Sequence, residues 1–181
     1  VGSQIPKNYS FFRWADQIDT GNVMLRREMF VQLGLFDRQF ERQRMGDGEF
    51  GLRAYLHGLI GISNPRASRI HLKVESGGLR QMGSWDGFRP TNFFAPRPIP
   101  SVLYLTRRYF GLRATLFDLL IKLPMSVMPF RYKRSPSLLV LGYLVSLFMA
   151  PVLLIQLLRA WRKSTDMIDR GPQIDHLPSI N

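Results

Sequence analysis

Two carboxylates, Asp47 and Glu49, stand two residues apart, with Arg53 four residues after Glu49. Asp47 sits where a helix N-cap belongs, and Glu49 falls in the first turn, where the helix dipole favours an anion. By residue type and position alone, a plain helix cap is the first reading of such a carboxylate. Glu49 and Arg53 are spaced i,i+4 in the better order, which reads as a structural ion pair. His71 is a residue type that ligates metals, though a lone histidine also closes a strand without any ligand. Arg80 and Trp85 lie in a stretch rich in Gly and Pro. By residue type alone they fit a surface loop packed by its aromatics. Gly21-Asn22 has the chemistry of a turn. His57 and His176 read as structural or incidental.

The elements that must position these residues are marked by punctuation and period. Asp19–Asn22 is a turn, and Val23–Leu25 is a short apolar run expected to be a strand. Met29, Phe30 and Leu33 recur at helical spacing over Arg27–Leu33, with Gly34 as the stop. Phe36 and Phe40 stand four apart and are expected to dock together. Residues 41–45 read as a charged loop. The helix opened at Asp47 ends at Gly58, and 59–62 is a strand candidate closed by Asn64-Pro65. Residues 69–74 form a further extended stretch carrying His71. Over 75–100, four Gly and four Pro argue for a long loop. Ser101–Phe110 is expected to be helical. From Ala114 to Val127, Leu116, Leu119, Leu120 and Leu123 keep helical spacing, with Asp118 and Lys122 as an i,i+4 pair. Together with Arg107, Arg108 and Arg113 this reads as an amphipathic helix on anionic lipid, or as a solvated helix packed on its own domain.

Composition narrows the classes. The 181 residues carry 25 Lys+Arg, 13 Asp+Glu and no Cys, for a net charge of +12. Absence of cysteine excludes a disulfide scaffold, a zinc ribbon and a thiol nucleophile. The charge asks for a polyanionic partner. Nine of the twelve net positive charges fall in residues 101–163, around the uncharged 22-residue run Ser137–Leu158. A helix of that length crosses a bilayer core of about 30 Å. Spanning is the first expectation, with Pro151 as a kink; lying in-plane or re-entering at Pro151 is the alternative. The first residue is Val, which leads us to expect a piece of a longer protein.

The order Gly21-Asn22, Gly34-x-Phe36-Asp37-x-x-Phe40, Gly46-Asp47-Gly48-Glu49-Phe50-Gly51-Leu52-Arg53, Gly58, Pro65, His71 resembles the second half of the catalytic domain of inverting family 2 glycosyltransferases. The likeness covers residues 19–74. It departs at Gly46, where the family carries a first acid, and the chain has no Asp-x-Asp. The spacing of Arg80 and Trp85 also differs from the Gln-x-x-Arg-Trp motif of processive relatives. The resemblance implies an α/β fold: a partial GT-A domain over 1–100, basic amphipathic helices over 101–134, a hydrophobic membrane helix over 135–163 and a polar tail over 164–181. It implies Asp47 as the catalytic base, Gly21, Asn22, Glu49, Arg80 and Trp85 on the acceptor side, and His71 as a metal ligand. The divalent cation, Mg or Mn, is expected to be held mainly by a nucleotide-binding half that these residues do not supply. The implied partners are a nucleotide-sugar donor, a lipid-linked or glycan acceptor and anionic membrane lipid, with catalysis on the cytoplasmic face of a membrane. The chain alone is expected to be inactive. A non-catalytic membrane adaptor is the competing class. A nucleic-acid-binding protein is the weaker one, because Lys and Arg form no helix stripe or known nucleic-acid motif.

Overall fold

In the computed structural model of the protein, residues 13–15, 18, 20–67, 92–127 and 135–178 are described. His71, Arg80, Trp85, the stretch 69–74, most of the loop 75–100 and the basic residues Arg131, Lys133 and Arg134 lie outside them. Helices predominate among the described residues, with one small two-stranded sheet. The α/β expectation is met only in this reduced form. The chain divides into two compact units. The first comprises Val1–Arg38, Met45–Glu75 and Gln173–Asn181, and the second Gln39–Arg44 and Ser76–Pro172.

In the first unit, β1 (Arg13–Ala15) pairs antiparallel with β2 (Gly61–Ser63), with Trp14 opposite Ile62. Helix α1 (Arg27–Leu33) forms where its apolar spacing places it and stops at Gly34. Helix α2 (Gly46–Leu56) ends at a Schellman motif. There the Leu59 N–H donates to the Ala54 carbonyl at 3.0 Å and the Gly58 N–H to Tyr55 at 2.9 Å. The core joins Leu33, Phe50 and Ala54 to Leu25, Met29, Phe30, Phe36 and Leu59. Phe50 is fully buried, its ring 4.7 Å from Phe36 and 5.2 Å from Phe30. Such burial stabilises by about 1.5–3 kcal/mol per side chain. Val23–Leu25 is not a strand: Met24 is almost wholly exposed, while Leu25 turns into the core.

The tail of the chain completes this unit. The Leu35 N–H donates to the Asp175 carbonyl at 2.7 Å, the Arg38 N–H to Gln173 at 2.9 Å, and the Gln173 N–H to the Asp37 carboxylate at 3.0 Å. Gly34, at φ 78° and ψ −178°, occupies a region that is essentially glycine-only. It also has no room for a side chain: a Cβ would lie 2.3 Å from Ile174 Cγ2.

Among its described residues the second unit holds three α-helices. Helix α3 (Pro100–Met125) is two segments joined at Gly111, whose φ of 78° and ψ of 176° interrupt the helix between the two expected ones. The Asp118–Lys122 pair closes at 2.6 Å. Helices α4 (Pro136–Phe148) and α5 (Ala150–Arg170) divide the apolar run that was expected to be one helix. Pro151 has no N–H for the Leu147 carbonyl, and its ring crowds that carbonyl, which favours a kink or break there. The axes turn by 80° at Met149. No single described helix is long and apolar enough to cross a membrane; the bent pair passes that test only when taken together. Arg107 lies over Trp161 at 4.3 Å and donates to Ser164 and Thr165. Burial pushes its guanidinium below the usual value, with Asp169 acting in the opposite sense; at neutral pH it stays charged.

The segment Gln39–Arg44 belongs to this second unit. Phe40 packs on Tyr104 at 5.5 Å, and Gln39 donates to the carbonyls of Met167 and Gly171. Phe36 and Phe40 therefore do not dock together: Phe36 joins the core around Phe50, and Phe40 joins Tyr104. Gln43 accepts the Ser101 N–H at 3.1 Å and so caps the start of α3. Ser101 exchanges further bonds with the Arg44 backbone, 2.8 Å to its carbonyl and 3.2 Å from its N–H.

Candidate functional site at the start of helix α2

Helix α2 begins one residue before Asp47. Met45 is the N-cap residue, in the left-handed conformation at φ 73°, with no side-chain cap. Asp47 is thus the second helical residue rather than the cap. Its Oδ1 accepts the Gly48 N–H at 2.8 Å, one of the donors that a helix start leaves without an intrahelical partner. The side chain is half-buried, and no described cation pairs with it. Two non-glycine residues with positive φ, Arg42 and Met45, lead into this turn. Each holds the backbone at a cost of about 1–3 kcal/mol, and such strain gathers at sites where geometry matters. The sequence carries no sign of it, since neither residue favours that conformation.

Glu49 has a different fate. It is fully buried, and both oxygens bind Arg53: Oε1 with Nε at 3.0 Å, Oε2 with Nη2 at 3.1 Å. Arg53 also donates to the Leu33 carbonyl and, at 2.9 Å, to that of Leu35. These carbonyls lie at and just past the end of α1, so Arg53 ties the two helices together. Glu49, expected on the acceptor side, thus has its carboxylate in the interior of this unit, bound to Arg53. The result is one locked acid and one accessible acid on the same helix.

Gly21 and Asn22 form an exposed 3₁₀ turn, Thr20–Asn22. Asn22 donates to the Ala67 carbonyl at 2.9 Å and so tethers this turn to the segment after β2. His57 is a helix-end residue whose Nδ1 sits 2.8 Å from the Arg53 carbonyl. His176 lies beside Gly34.

A divalent cation does not fit the described residues. No three His, Asp or Glu side chains come together among them. With Glu49 taken by Arg53, Asp47 is a single carboxylate, and a cation of this kind needs several oxygen ligands.

Comparison with protein-family models, with curated proteins and with solved structures returned no match.

Proposed function

We propose that the chain is the acceptor-side part of a membrane-associated inverting glycosyltransferase resembling family 2, with a GT-A domain completed by further sequence. Asp47 is its catalytic base. In the reaction, an acceptor hydroxyl oxygen attacks the anomeric carbon of a nucleotide sugar and forms the new glycosidic bond. Its proton passes to the Asp47 carboxylate. The bond from the anomeric carbon to the phosphate oxygen breaks, the nucleoside diphosphate leaves with the electron pair, and the carbon is inverted. The acceptor is a lipid-linked sugar or a glycan, and the cytoplasmic face is the side where nucleotide sugars are made.

One observation carries the reading: the contrast between Asp47, accessible at the opening of α2, and Glu49, buried two residues on. A base must reach its substrate's proton, and α2 is held by Phe50 and Arg53 so that Asp47 can be aimed. The test is Asp47→Asn in the complete enzyme. Transfer is expected to fall by about 10²–10⁴-fold, the usual contribution of a general base, with folding and nucleotide binding unchanged. Transfer at the wild-type rate would remove Asp47 from this role.

A further inference from the structure

The exterior of the second unit is largely apolar, and small or polar residues share its helix contacts with a few leucines. In α4 the buried residues are Gly142 and Ser146, whereas Val140, Leu141, Leu144, Leu147 and Phe148 face outward. In α5 the inward stripe is Leu153, Gln156, Ala160, Ser164 and Met167, and Leu154, Ile155 and Leu158 face out. The second segment of α3 turns Thr115 and Leu119 inward and leaves Leu116, Phe117 and Leu120 exposed. Water favours the opposite arrangement. Hydrocarbon removes the drive to bury large apolar side chains, so helices there meet through small and polar residues.

The same surface has a charge boundary. Residues 135–158 carry no ionised side chain. Arg162 and Lys163 stand exposed on the next turn of α5, and Arg113 stands exposed on α3. Arg159 lies over Phe94 and donates to its carbonyl. An apolar surface rimmed by cations complements a bilayer with anionic headgroups. A second protein would have no need for the uncharged interval to end in basic residues.

The geometry decides how deep this surface goes. Helix α4 has 13 residues, about 20 Å, and the apolar start of α5, Ala150–Leu158, adds about 14 Å. Laid end to end they would cross the roughly 30 Å core. With an 80° turn between them they do not. Two arms sharing that turn equally place Met149 only about 9–13 Å below their outer ends. Phe148, 89% exposed, stands at the apex.

We propose that α4 and α5 form a re-entrant wedge in one leaflet, with Phe148 and Met149 at its tip and both ends, Ser135 and Lys163, at the same membrane face. The proposal deepens the membrane-associated part of the function above and rests on that part alone; the identity of the base does not enter it. The wedge anchors the chain without exposing any of it on the far side.

The lack of cysteine makes the test direct. Single variants Ser135→Cys, Phe148→Cys and Lys163→Cys of the 181-residue chain are added to sealed vesicles of phosphatidylcholine and phosphatidylglycerol in equal parts. Co-sedimentation reads association, a membrane-impermeant maleimide reads sidedness, and a polarity-sensitive dye at position 148 reads depth. The wedge predicts co-sedimentation, labelling of Ser135→Cys and Lys163→Cys from the outside alike, and a dye at 148 quenched by shallow lipid quenchers. Protection of one terminal position with labelling of the other would overturn the wedge in favour of a spanning pair, leaving membrane association intact. Absence of co-sedimentation overturns the membrane itself as partner. So does shielding of position 148 that depends on protein concentration and not on lipid, which would assign the face to a second copy. None of these outcomes bears on Asp47→Asn, and failure of that variant to lose activity leaves the wedge standing.

Discussion

Arg53 is the residue on which the placement of Asp47 most depends. Its guanidinium satisfies a fully buried carboxylate and two backbone carbonyls at the end of α1. Arg53→Met takes the cation from both oxygens of the fully buried Glu49, and the expected loss is about 3–5 kcal/mol of unfolding free energy by denaturant titration. Adding Glu49→Met should recover part of that and not all, because the Leu33 and Leu35 carbonyls remain without their donor. The i,i+4 spacing makes the pair legible in the sequence. Its burial is not legible there, because an exposed helix face uses the same spacing for pairs worth only a few tenths of a kcal/mol. For the same reason, the spacing does not tell that the Glu49–Arg53 pair lies inside.

At the scale of elements, glycine marks the ends correctly. Gly34 and Gly58 close α1 and α2, and Gly111 separates the two segments of α3. What Gly34 does beyond ending a helix depends on Ile174 and Asp175, which arrive from the far end of the chain. Gly34→Ala both strains a positive φ and drives a methyl group into Ile174. We expect a loss of more than the ~1 kcal/mol of a simple glycine substitution. Amide hydrogen exchange at Leu35 and Arg38, whose N–H groups are held by this tail, should accelerate selectively. If exchange there were unchanged, the tail would not be held through Gly34. The apolar run 137–158 shows the limit of reading elements from composition. Its length permits one spanning helix, and Pro151 was visible as a kink, but the size of the turn follows from how α4 and α5 each pack on α3.

The whole molecule combines a small aromatic core in its first unit with a second unit that turns its large apolar side chains outward. The net charge of +12 acquires a place: a basic margin around an uncharged interval. Two forces with different salt dependence should therefore hold the chain to lipid. Raising the ionic strength from about 0.01 M to about 1 M shortens the screening length from roughly 30 Å to roughly 3 Å. Binding to the mixed vesicles should weaken severalfold and then level off, since burial of Phe148 and its neighbours is not screened. Complete release at high salt would mean that the apolar face stays out of the bilayer. Phe148→Asp should weaken binding by about tenfold at either ionic strength, because the charge must enter hydrocarbon or withdraw the apex.

By itself the sequence determined what depends on neighbours within one or two turns. That includes α1 and its glycine stop, the end of α2, the Glu49–Arg53 and Asp118–Lys122 pairs, and the uncharged interval with its basic margin. Only the tertiary structure decided which acid is locked and which stays accessible, that Phe36 and Phe40 go to different cores, and that α4 faces its large side chains outward. Periodicity and composition report what a segment can bury, whereas the side on which a partner lies is set by contacts between residues far apart in the chain. Glu49 went inside because Arg53 and the end of α1 meet there, and Phe148 stayed outside because Gly142 and Ser146 take the inner face of α4.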